Sequence, residues 1–90
     1  MYVWDEAKRK SNLKKHGLDF KDAYLVYENP DKCTYDASRE EEYRLMDVAL
    51  ALVRGRVFTL VYTESDEEVR IISFRHASHE ERKRYEEDSK

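Results

Sequence analysis

Apolar positions along this chain change period three times, and the changes predict its elements. Tyr2-Val3-Trp4 reads as a short strand. From Asp5 the pattern is helical but almost without apolar residues. Asp5 is the predicted N-cap and Gly17 the left-handed residue that ends the helix after about His16. Asp19 caps a second predicted helix ending near Glu28, where Phe20, Ala23, Tyr24 and Tyr27 fall on one face at helical spacing. Asn29-Pro30-Asp31 stops it. Period two takes over afterwards: a brief strand over residues 33–36, a polar turn at 37–41, and a long strand from Glu42 to about Val53. Arg54-Gly55-Arg56 turns the chain into a strand over Val57–Thr63, and Ser65-Asp66-Glu67 turns it again into Val69–Phe74. In strict alternation, Arg70, Ile72 and Phe74 share one face while Ile71, Ser73 and Arg75 share the other. Ser78 and Glu81 then have capping-box spacing, which starts a last helix whose single large apolar residue is Tyr85.

The predicted class is α+β, a small single domain over residues 1–90. Two N-terminal helices lie on a mainly antiparallel sheet, a C-terminal helix follows, and residues 86–90 fray. Ninety residues leave room for one modest core. No run approaches the roughly 20 apolar residues of a bilayer span. A single cysteine, Cys33, forms no internal disulfide, which makes a reducing cytoplasm the expected compartment.

Charge changes the picture more than composition does. The net charge is −3, yet residues 1–20 carry five lysines and arginines against three acids, while residues 21–48 carry four against eight. A locally cationic surface is therefore compatible with an acidic whole. On the first helix Lys8, Asn12 and Lys15 recur at i, i+4 and i+7, with His16 adjoining. That stripe is either a solvated face with cations favoured at the helix C-terminus, or a contact surface for a phosphate backbone or an acidic partner.

Several chemistries find no support. His16, His76 and His79 lack an organised carboxylate set, so no metal site is predicted. Two glycines cannot build a Gly-rich phosphate loop, and no nucleophile triad has a local signature. What remains is a set of Arg, Lys, Glu, Tyr and His side chains. RNA cleavage suits such a set, because the 2′-OH of the substrate is its own nucleophile. The protein then supplies a base, positive charge for the pentacovalent phosphorus and an acid, with no cofactor. Arg44, Arg70 and Arg75 are the candidates for phosphate charge, since a guanidinium grips two phosphate oxygens. Glu42 or His16 is the candidate proton carrier. Arg82 and Tyr85 are candidates for contacts to bases, although Tyr85 is equally the natural anchor of its helix.

The segments Val3-Trp4-Asp5-Glu6-Ala7-Lys8, Asn12 with Lys15-His16-Gly17, and Phe20 to Ala23 together resemble the BrnT family of type II toxin–antitoxin systems. So do Glu42-Tyr43-Arg44, Val61-Tyr62-Thr63-Glu64, Arg70-Ile71-Ile72-Ser73-Phe74-Arg75, Ala77, Glu81-Arg82 and Tyr85. The resemblance implies a RelE-like fold and an endoribonuclease that cleaves mRNA, free or on the ribosome, without metal and so inhibits translation. It further implies a BrnA-like ribbon-helix-helix antitoxin, through which operator DNA is bound, and leaves a homodimer open. Lys15, His16, Glu42, Arg44, Arg70, Arg75, Glu81 and Arg82 are the charged positions it carries over; Lys8 and Tyr85 join Lys15, Glu81 and Arg82 as the expected RNA contacts. Departures stand at Glu41, where a glycine is usual, at Met46-Asp47 in place of Ile-Gly, at Ser65 in place of a basic residue, and at Phe74 in place of alanine. A second hypothesis keeps the same fold without catalysis, as a module that binds the antitoxin and acts in operon repression.

Overall fold

The computed structural model describes residues 1–40, 42–51 and 55–89. Its elements are β1 (Tyr2–Val3), α1 (Glu6–His16), a 3-10 turn (Phe20–Asp22) running into α2 (Tyr24–Tyr27), β2 (Cys33–Asp36), β3 (Leu45–Ala51), β4 (Arg56–Glu64), β5 (Val69–His76) and α3 (His79–Asp88). The five strands form one sheet in the order β1-β5-β4-β3-β2. All neighbours are antiparallel except β1 and β5, whose pairing is parallel. The α+β expectation holds, and the meander predicted from three strands gains an edge strand on each side. The first helix follows the short strand expected at Tyr2-Val3-Trp4, which forms over Tyr2–Val3.

The predicted second helix is split. Phe20–Asp22 winds three residues per turn, and only a four-residue α-helical turn follows it. The tighter winding shifts the apolar face, so Val26 joins Phe20 and Ala23 in the core while Tyr24 stays 46% exposed. The long strand predicted from Glu42 starts at Leu45, with Glu42 making an isolated bridge to Arg39. Its predicted end at residues 52–53 and the turn residue Arg54 lie outside the described residues.

The two sheet faces bury different things. Phe58, Leu60 and Tyr62 of β4 alternate onto one face, where Ile71 and Phe74 of β5 join Leu18, Phe20, Ala23 and Val26 in the larger core. The other face holds a smaller cluster of Tyr35, Val48 and Tyr85. There Arg84 stacks over the Tyr35 ring at 3.9 Å, the Tyr35 hydroxyl donates to Asp88 at 2.8 Å, and the Tyr85 hydroxyl accepts from the Leu50 amide at 3.3 Å. These contacts help to hold a helix that is otherwise polar.

Between Val61 and Tyr62 the β4–β5 register slips: Val61 faces Ser73, but Tyr62 faces Ile71. Ile72 is the extra residue of a β-bulge. One inserted residue reverses the parity of everything beyond it. Arg70 pairs with Thr63 and Arg75 with Thr59, and those threonines lie on the same side of β4. Both arginines therefore occupy one face, against the alternation predicted from sequence.

β1 pairs with only the first two residues of β5, which leaves the later part of that edge unpaired by a strand. Asn12 fills the gap. Its amide nitrogen donates to the Phe74 carbonyl at 2.7 Å and its amide oxygen accepts from the Phe74 amide at 3.2 Å, as a neighbouring strand would. This explains why α1 needs no apolar face: it docks on the sheet edge through an amide rather than through hydrophobic burial.

Candidate nucleic-acid interface

α3 covers only part of its sheet face. The part beyond it carries Ala37, Arg44, Met46, Val61, Ile72, Ser73 and Arg75, which with Asp36 and Arg39 line a hollow of about 300 Å³. A second hollow of about 190 Å³ lies against α1, lined by Lys8, Ser11, Asn12, Lys15, His16, Ile72 and Ser73. The bulge residues Ile72 and Ser73 belong to both. The two hollows thus adjoin at β5, with Arg39 and Arg44 on the β2–β3 side and Lys8 and Lys15 on the α1 side.

Each charged group has a defined setting. Arg44, the residue just before β3, lines the hollow, and its Nη2 donates to Glu42 at 2.8 Å. Glu42 is exposed, so this pair contributes only about 0–1 kcal/mol. Arg44 Nε, by contrast, is buried with no acceptor among the described residues. An unpaired buried N–H costs about 1–3 kcal/mol, which an incoming anion would recover. Arg75 is gripped end-on by Glu81, with Nη1 to Oε1 at 2.7 Å and Nη2 to Oε2 at 2.9 Å. Glu81 also accepts from the Ser78 amide at 2.8 Å and the Thr59 hydroxyl at 3.0 Å. Arg75 first, then these other donors, hold its carboxyl down at about 2.

That depression has a thermodynamic consequence. Glu81 binds its proton less readily folded than unfolded, so its contribution to stability is complete above the ordinary value of 4.5 and is lost as pH falls toward about 2. Urea titrations across this window are expected to show a shallower acid slope for Glu81→Gln than for the native chain.

His16 is half-buried and its basicity is lowered, first by desolvation and then by the positive charges of Lys15, Arg75 and His76. It is therefore mostly neutral at pH 7, the form that accepts a proton.

The structure gathers Lys8, Lys15, His16, Arg44 and Arg75 around the joined hollows. Arg70 shares their face but lies further along β5, exposed and outside the lining. Glu81 borders Arg75 rather than the open depression. Arg82 lies elsewhere, lining a hollow with His79, Lys83 and Glu86 on α3. Tyr85 is buried in the small core, so its ring has no face to offer a base. Asn12, read as part of a contact stripe, is buried as the edge pin. Arg39 was missed by the sequence reading. Its signal is its position in the hairpin: backbone hydrogen bonds join Arg39 and Glu42 in both directions, which puts Arg39 on the side of Glu42 and Arg44.

The uncovered stretch of sheet, lined by Arg39, Arg44 and Arg75, carries the kind of positive charge that binding an anionic polymer requires. The family model described as "Ribonuclease toxin, BrnT, of type II toxin-antitoxin system" matches residues 4–81. The chain belongs to that family of ribonuclease toxins, and a type II system supplies an antitoxin protein as its partner. The search of the curated proteins found no match.

Proposed function

We propose that this chain is a metal-independent endoribonuclease of RelE-like architecture, and that its reaction takes place in the joined depression. One observation carries the reading: Arg39, Arg44 and Arg75 line a hollow that shares Ile72 and Ser73 with a second one lined by Lys8, Lys15 and His16. A single RNA strand laid along it meets cations on both sides and an apolar floor beneath its sugars and bases.

The chemistry follows from the groups. Neutral His16 accepts the 2′-OH proton as the 2′-oxygen attacks phosphorus. Arg44 and Arg75 stabilise the dianionic pentacovalent phosphorane, and the P–O5′ bond breaks as the 5′-oxygen takes a proton from solvent water. Lys8, Lys15 and Arg39 bind flanking phosphates. The products are a 2′,3′-cyclic phosphate and a 5′-hydroxyl. Cleavage of mRNA in the cytoplasm stops translation, and a BrnA-like ribbon-helix-helix antitoxin neutralises the toxin and carries the complex to operator DNA. Arg70 serves as an outer phosphate contact on the same face.

Purified protein incubated with a labelled oligoribonucleotide in excess EDTA tests this. The expected result is undiminished cleavage with cyclic-phosphate ends. A 2′-deoxy linkage at the cut site should be resistant. Activity that disappears with EDTA and returns with a divalent ion would refute the proposed reaction.

A further inference from the structure

Glu81 is the least obvious member of this constellation. A carboxylate that stays ionised beside a phosphodiester repels it, so direct RNA contact is not its role. What it does is fix a neighbour. Both terminal nitrogens of Arg75 point at the two Glu81 oxygens, at 2.7 and 2.9 Å. Nη1 has a further, longer contact to the His76 carbonyl at 3.4 Å. A guanidinium has a second two-donor edge, formed by Nε–H and the remaining Nη2–H. That edge has no protein acceptor among the described residues. Glu81 cannot easily turn away, because Oε1 is also held by Thr59 of β4 and by the Ser78 amide at the start of α3.

We infer that Glu81 is a positioning residue, which clamps one edge of Arg75 so that the Nε–Nη2 edge stands ready to fork a phosphate in the adjoining hollow. The inference rests on the proposed nuclease reading and adds a device to it. α3 thereby has a task beyond covering the small core: its first turn delivers the carboxylate that orients an arginine of β5. Thr59, buried beneath them, sets the height of that carboxylate above the sheet.

The test separates orientation from helix capping and from catalysis. Glu81→Gln keeps a capping-box side chain but loses the charge-assisted fork. It is expected to lower kcat for RNA cleavage about 10- to 100-fold with little change in KM, the scale of a misplaced catalytic group. In an Arg75→Lys background, where no fork exists, the same change should have no further effect. Ser78→Ala should lower Tm and leave kcat alone. Independently of turnover, a non-cleavable 2′-O-methyl oligonucleotide should shift the Arg75 Nε–H resonance in the native chain and not in Glu81→Gln. Full kcat in Glu81→Gln, an equal loss in both backgrounds, or an Arg75 resonance indifferent to RNA would each overturn the inference. A resonance that responds in a protein that cuts no RNA would sink the nuclease reading and leave the positioning intact.

Discussion

Replacing Arg75 with alanine is expected to slow RNA cleavage by about 10²- to 10³-fold, the usual loss when one preorganised donor to a developing oxyanion is removed. Growth arrest on induction should disappear with it. The fold should survive. Arg75 is partly solvent-exposed, and Glu81 keeps the Thr59 hydroxyl and the Ser78 amide when its arginine is gone. The stability loss is therefore that of an intermediate ion pair, while the catalytic loss is that of a transition-state contact. Cleavage kinetics and thermal unfolding on the same sample separate the two. Unchanged turnover in a folded Arg75→Ala protein would remove Arg75 from the reaction.

The largest effect on stability is expected elsewhere, at Lys32. Asp47 has no solvent exposure and sits in the middle of β3. Lys32 Nζ donates to it at 2.7 Å, with Thr34 Oγ1 at 2.7 Å and the Tyr62 hydroxyl at 3.0 Å completing the shell. Lys32 also stands over the Tyr27 ring at 4.2 Å. Lys32→Met removes the cation paired with Asp47 among the described residues and leaves its buried carboxylate with two hydroxyls. The cost of breaking a buried pair this way is about 3–5 kcal/mol, a large share of the roughly 5–15 kcal/mol of an ordinary domain. Asp47→Asn should cost less, because Lys32 is partly exposed and can turn to water. Urea midpoints for the two variants should fall in that order. The reverse order would mean that Asp47 does not depend on Lys32.

Much of this was legible in the sequence where a local rule decides the structure. Asp5 caps α1 through the Ala7 and Lys8 amides, Gly17 ends it at φ 71°, and Ser78 with Glu81 forms the predicted capping box. Tyr85 anchors its helix, as its isolation implied. The faults lie where tertiary pairing overrides a local period. Alternation along Val69–Phe74 carries no trace of the extra residue at Ile72, so Arg70 and Arg75 were set on opposite faces. Periodicity also could not distinguish an α-helix from a 3-10 turn over Phe20–Asp22, since Phe20 and Ala23 are compatible with both.

The site was legible in residue type rather than in placement. Arginines at strand positions and lysines on α1 pointed to a cationic surface, and Arg44 and Arg75 do line one hollow. Arg39 escaped because its turn reads as solvent-facing loop until the Arg39–Glu42 bridge is known. Asn12 was mistaken for surface because nothing local announces an unpaired strand edge. Asp47 was visible only as a departure from the family pattern. Its partners Lys32, Thr34 and Tyr62 come from three separate stretches of chain.

The decisive measurement is an amide chemical-shift map of the native chain titrated with a short 2′-O-methyl oligoribonucleotide. The largest changes are expected at Ile72, Ser73 and Arg75, at Arg39 and Arg44, and along α1 from Lys8 to His16. Changes centred instead on Arg82, Lys83 and Glu86, with the bulge of β5 undisturbed, would contradict the account.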